Sequence, residues 1–148
     1  MNRTSLEVGQ SASFSKTVSE SDVYLFAGIS GDFNPVHVDE EHAKQGMFKK
    51  RIAHGILTAS FISTVLGTKL PGPGAIYAKQ DLKFLVPVFI GDTLTATCSV
   101  KEIIAEKKRV IMDCVVSNQD GVSVLTGEAT LVVDANVFAW QKCETHYN

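Results

Sequence analysis

The stretch HGILTASFISTVLGTKL, from His54 to Leu70, constrains the fold more than any other part of the chain. Lys69 is its one side chain that is ionised at neutral pH when His54 is neutral. Leu57, Phe61, Ile62 and Val65 fall on one broad face at helical spacing, and Gly55, Ala59, Ser60 and Ser63 are small enough for close packing elsewhere. A helix that is apolar nearly all round has to be buried. Pro71-Gly72-Pro73-Gly74 then stops it, since proline can neither donate a backbone hydrogen bond nor fit a continuing helix. The rest of the chain must enclose this segment.

The downstream half supplies the enclosure. Residues 76–88, 93–104, 108–116 and 122–133 are rich in Val, Ile, Thr and Phe, as strands are. Pro87 with Gly91-Asp92, the charged run AEKK and Asn118-Gln119-Asp120-Gly121 separate them. Short turns between long successive strands predict an antiparallel meander. Upstream, residues 12–18 alternate weakly and read as an edge strand. Ser19 is placed to cap a helix with Asp22 reaching back, Val23, Phe26 and Ala27 follow at helical spacing, and Gly28 and Gly31 end the segment. Residues 39–44 (DEEHAK) suit a second short helix with acids at its start. The expectation is an α+β arrangement, an antiparallel sheet wrapped around a long central apolar helix. It is read as a single domain over 1–148 with a core at about 5–133. The tail 134–148, with Trp140 and Cys143, has no assignment.

Composition narrows the class. With 148 residues and 45% hydrophobic content, a chain can bury roughly 68–70% of its unfolded surface and needs no staples. A net charge of −2 argues against nucleic-acid partners, because phosphate binding calls for a basic excess. Cys98, Cys114 and Cys143 are widely spaced, with no C-x-x-C pair, which fits reduced thiols rather than a disulfide framework or zinc site. The opening MNRTSLEVGQSASFS has no apolar signal-peptide core, and no run approaches the ~20 apolar residues of a membrane span. A soluble, cytoplasmic protein is expected.

Chemistry concentrates in ISGDFNPVH, residues 29–37. Gly, Asp, Asn and Pro in a cluster are first of all how a chain turns. The same turn can aim groups: Pro35 disfavours a helical backbone at Asn34, and a bend there can bring Asp32, Asn34 and His37 to one side of a pocket. Imidazole titrates near neutrality, a carboxylate is its usual partner in proton transfer, and Asn34 could hold a water without competing for its proton. The second feature is His54-Gly55 at the entrance to the apolar helix. Helix N-termini present unpaired N–H groups, glycine allows close approach, and such an N–H can stabilise a developing oxyanion. Taken one at a time, both features are better explained by turn and cap chemistry.

Together they carry a resemblance. FAGISGDFNPVH, residues 26–37, followed by Ala43, resembles the signature of the MaoC-like, or type 2, enoyl-CoA hydratases, which have the hot-dog fold. AHGILTASFISTVLG, LPGPGAIY, FLVPVFIGDTL and LTGEATL continue the likeness over residues 5–133, closest to the single-domain (R)-hydratases linked to polyhydroxyalkanoate synthesis. The resemblance implies hydration of trans-2-enoyl-CoA to (R)-3-hydroxyacyl-CoA, with Asp32 and His37 as the acid–base pair. Asn34 would help position the water and the Gly55 N–H would hold the thioester carbonyl. It further implies Ser63, His54 and Phe33 as substrate-binding residues. No metal or cofactor is implied beyond the coenzyme A of the substrate, acyl carrier protein is a possible alternative carrier, and a homodimer is the usual assembly. Lys50-Arg51 depart from the proline that relatives often carry before Ile52.

Competing readings remain at this level. Lys49-Lys50-Arg51 is either a solvated loop or a grip on coenzyme phosphates. His37, Asp39 and His42 make a poor metal set, because a helix over 39–44 would point the last two apart. An acyl-CoA thioesterase is disfavoured by the absence of Asp, Glu and Cys from residues 54–68. A non-catalytic acyl-thioester binding module would have no use for a proton relay.

Overall fold

A computed structural model describes residues 4–134 and 138–140. The chain runs β1 (Thr4–Leu6), β2 (Ser11–Thr17), α1 (Glu20–Ser30), α2 (Pro35–Val38), α3 (Glu40–Gln45), α4 (Gly55–Thr68), β3 (Ile76–Gln80), β4 (Lys83–Phe84), β5 (Thr93–Ile104), β6 (Arg109–Ser117), β7 (Ser123–Val132) and β8 (Phe138–Trp140). The apolar helix α4 packs across β5, with β2, β6 and β3 touching its flanks. Leu57, Phe61, Ile62, Val65 and Leu66 enter one continuous core with Leu94, Ala96, Met112, Val116, Leu125 and Leu131 from the sheet. This is the α+β hot-dog arrangement that the sequence predicts.

Two features of the enclosure differ from expectation. The main sheet is ordered β2-β5-β6-β7-β3, so only β5, β6 and β7 form a meander. The strand that precedes them in sequence, β3, pairs with β7 at the far edge. Secondly, residues 76–88 are not one strand. Pairing to β7 is interrupted after Gln80, where Asp81 replaces the regular ladder: its N–H donates to the Glu128 carbonyl (3.0 Å) and its Oδ1 accepts the Glu128 N–H (3.0 Å). Gly127 permits this close crossing, since a Cβ there would lie 2.1 Å from the Asp81 carbonyl oxygen. After β4, Pro87 has no donor to extend the ladder.

Helix α4 is also less enclosed than a helix apolar all round should be. Ile56, Ser60, Ser63 and Gly67 recur at helical spacing and form an exposed stripe, because one sheet face covers only one side of a cylinder. Upstream, Ser19 and Asp22 form the predicted capping box on α1, but Gly28 lies inside the helix and only Gly31, at φ 80°, ends it. Asp39 caps α3 through the His42 N–H (3.0 Å). In the tail, β8 pairs in parallel with β1, setting Trp140 opposite Leu6, whereas Cys143 lies outside the described residues. No helix among the described residues is long and apolar enough to cross a membrane.

Candidate active site

The turn between α1 and α2 is held group by group. The Asp32 N–H donates to Ser30 Oγ (3.1 Å), and Asp32 Oδ1 accepts the Asn34 N–H (3.1 Å). Asn34 is extended (φ −51°, ψ 125°), the conformation that a following proline imposes. Its Oδ1 accepts the Val36 N–H (3.2 Å) and so caps α2, with Pro35 at the first helical position. That single turn carries His37 inward, to 7% exposure. Asp32 stays exposed at the rim.

The tautomer of His37 follows from its partner. Its Nδ1 lies 2.7 Å from the Ile52 carbonyl oxygen, which can only accept, so Nδ1 carries the proton and Nε2 keeps a lone pair. Burial, first, and the neighbouring His54 push the His37 pKa below its ordinary value, against the pull of the Ile52 carbonyl and Asp32. His37 is therefore a neutral acceptor at neutral pH. His54 lies behind it: 2% exposed, its ring stacked on that of His37 with centroids 3.9 Å apart and planes at 29°. Its Nε2–H donates to the Asp32 carbonyl (2.9 Å).

Asp32, His37 and His54 each bring a possible ligand atom within 4.8 Å of the others. The separation suits a water between Asp32 and His37, since hydrogen bonds of ~2.7–3.0 Å reach it from both. It suits a metal poorly, because an ion bound by imidazole sits near the ring plane at ~2.0–2.1 Å, and two stacked rings do not share such a point. Asp39 and His42 belong to the cap of α3 and take no part in this cluster.

Two hollows share His37, Gly55 and Ile56 as walls. One, of about 240 Å³, adds Phe26, Ser30, Asp32 and His54. The other, of about 470 Å³, is an apolar cleft bounded by Phe48, Ile52, Phe84, Val88 and Val124, among others. Gly55 opens α4, and His54 at the N-cap supplies no side-chain cap, so the first-turn N–H groups face the junction unclaimed by a cap. Glycine is needed here for a second reason. A Cβ would lie 2.7 Å from Phe84 Cε1, so any larger residue pushes the ring that walls the cleft.

The chain matches the MaoC like domain over residues 3–121. It belongs to the MaoC-like family. Among its relatives, an (R)-specific enoyl-CoA hydratase of Rhodospirillum rubrum is 58% identical over 132 residues, 88% of this chain and 90% of that protein. The R-hydratase PhaJ1 of Pseudomonas aeruginosa superposes with a TM-score of 0.82 at 47% identity, covering 86% of this chain and 82% of the other. The (R)-hydratase of Aeromonas caviae involved in PHA biosynthesis superposes with a TM-score of 0.84 at 41% identity, over 87% and 98%.

In this MaoC-like chain the structure gathers some expected residues and not others. Asp32, His37, His54 and Gly55 converge. Asn34 stays exposed outside both hollows and spends its Oδ1 capping α2, so it positions His37 through the backbone. Ser63 and Phe33 line neither hollow: Ser63 lies on the open stripe of α4, ~12 Å along the axis from Gly55, and Phe33 is 60% exposed. Arg51 fits neither reading of the basic run. Its side chain is 11% exposed and bonds Glu20 (2.7 Å), Glu40 (2.7 Å) and the Tyr24 hydroxyl (3.0 Å), clasping α1 to α3. Sequence reasoning missed the Ile52 carbonyl, which no side-chain pattern announces. It also missed Thr58, the buried hydroxyl that donates to the Gly55 carbonyl (2.6 Å); a threonine among apolar positions was its one signal.

Proposed function

We propose that this chain is an (R)-specific enoyl-CoA hydratase, adding water to trans-2-enoyl-CoA to give (R)-3-hydroxyacyl-CoA. The observation that carries the reading is the convergence of the Asp32 carboxylate and the His37 imidazole beside the uncapped start of α4 and an apolar cleft. The thioester carbonyl takes the Gly55 N–H, which polarises the double bond and stabilises the enolate oxygen; a donor of this kind is typically worth ~10²–10³ in rate. A water held by Asp32 and His37 attacks C3. Its O–H bond breaks as the C3–O bond forms, and the proton passes to His37 Nε2 while the carbon–carbon π electrons shift towards the carbonyl. His37 then returns that proton to C2 as the enolate collapses, which leaves the enzyme unchanged. Asp32 orients the water and offsets the positive charge that His37 holds in between. One water bridging one dyad delivers OH and H to the same face. The residues fit this route without a metal or redox group.

Purified protein should hydrate crotonyl-CoA, read as loss of enoyl-thioester absorbance. Asp32→Asn and His37→Ala should each lower kcat by about 10²–10⁴ while the fold persists. Thiol release from saturated acyl-CoA, with no hydration, would support the thioesterase reading instead. Comparing coenzyme A and acyl carrier protein thioesters of increasing length identifies the carrier.

The same reading includes a homodimer. Every residue of β3 but Gln80 is exposed at a sheet edge, with Ile76 61% and Tyr77 41% exposed, and an unpaired edge strand is a template for a second strand. The open stripe of α4, mostly small and uncharged, offers a further surface to a second copy. The free thiols of Cys98 and Cys114 suit a reducing compartment such as the cytoplasm.

A further inference from the structure

The geometry points to His54 as a positioning residue of the hydration reaction: it ties the Asp32 peptide to the start of α4 and backs the His37 ring, at the expense of local stability. The inference rests on the hydratase reading above. Three observations carry it. First, the Asp32 turn is otherwise held by its own neighbours, Ser30 Oγ and the Asn34 N–H, whereas the 2.9 Å bond from His54 Nε2–H to the Asp32 carbonyl comes from a different element. That bond fixes the carboxylate relative to the Gly55 N–H, the group expected to hold the other end of the reacting system. Secondly, His54 lies between two rings, stacked on His37 at 3.9 Å and tilted against Phe26 at 4.8 Å. It therefore limits how His37 can rotate about its bond to Ile52.

The third observation is that histidine is a poor choice here on stability alone. With Nε2 donating, Nδ1 is a buried acceptor without a partner, the one such side-chain atom among the described residues. Buried polar atoms are normally paired, and an exception calls for an explanation. His54 also occupies the N-cap of α4 and makes no cap bond, although Ser, Thr, Asp or Asn would. The position thus tolerates two local costs that a structural residue would avoid. What histidine offers in return is a flat ring with an edge donor, able to stack on His37 and reach Asp32 at once.

The test uses the intact protein with His54→Phe and His54→Gln. Phenylalanine keeps a ring between His37 and Phe26 but loses the donor and the orphan nitrogen; glutamine keeps an N–H donor without the ring. The expected result for His54→Phe is a Tm at or above that of the parent and a kcat lower by about 10–10²-fold. KM for crotonyl-CoA should stay within about threefold. His54→Gln should recover part of the kcat. The groups acting on His37 are Asp32 from the turn and His54 from the start of α4, with the Ile52 carbonyl on Nδ1. The ¹⁵N-histidine titration of His37 should accordingly move up, towards the ordinary value, in His54→Phe. Parental kcat with an unmoved His37 titration would overturn the inference, as would equal losses in both variants that track a fall in Tm. Absence of hydration by the parent protein would remove the hydratase reading itself, an outcome separate from either.

Discussion

At the scale of single residues, the site depends on which nitrogen holds a proton. The Ile52 carbonyl fixes the His37 tautomer, and burial followed by His54 holds its pKa below 6.5. Rate should therefore be level through neutrality and fall on the acid side, below the ordinary histidine value, in a kcat–pH profile. Stability follows with a definite sign. Below pH ~6.5 the unfolded chain binds a proton at this position more readily than the folded one, so unfolding free energy rises with pH. The contribution of His37 is complete above its unfolded pKa and is lost as pH falls through the lower folded value; denaturant midpoints measured across this range check it. Gly55 sets a second residue-scale limit. Gly55→Ala keeps the N–H but pushes Phe84 out of the cleft wall, so kcat/KM should fall by about 10–10²-fold with a small change in Tm.

At the scale of elements, the capping signals were legible and the interruptions were not. Ser19-x-x-Asp22 is a local instruction that any chain environment would execute, and it appears as read; Asn34-Pro35 gives the expected extended residue, but as the cap of α2, a helix that the sequence analysis does not predict. Ser19→Ala should destabilise by about 0.5–2 kcal/mol in a denaturant titration, since it removes the acceptor for the Asp22 N–H. The break after Gln80 has another origin, because it depends on Asp81 meeting Glu128 across the sheet. Gly127→Ala tests that crossing. A Cβ 2.1 Å from the Asp81 carbonyl oxygen meets backbone rather than a movable side chain. The cost should reach or exceed the upper end of about 1–3 kcal/mol, seen as a lowered denaturant midpoint.

At the scale of the whole molecule, a single chain leaves the helix and the sheet unfinished. Ile56, Ser60, Ser63 and Gly67 face outward on α4, and β3 ends the sheet with exposed Ile76 and Tyr77. Light scattering should find a dimer, and Ile76→Lys should shift it towards monomer by placing a charge on the pairing edge. A wild-type monomer at all concentrations would contradict the homodimer reading. Ser63, displaced from the site within one chain, belongs to this scale too, because its stripe is the surface that a second copy would cover.

The sequence by itself determined the type of fold and, through its family resemblance, named Asp32 and His37 as the expected reacting pair. The reason is locality: helical periodicity, strand composition, a proline after an asparagine and a glycine at a helix entrance all act over a few residues. Tertiary structure alone decided which edge β3 takes, that Arg51 is consumed by Glu20 and Glu40, and that Ile52 and His54 fix the proton and the posture of His37. Each of these is a contact between groups distant along the chain, and its energy exists only once the core has brought them together.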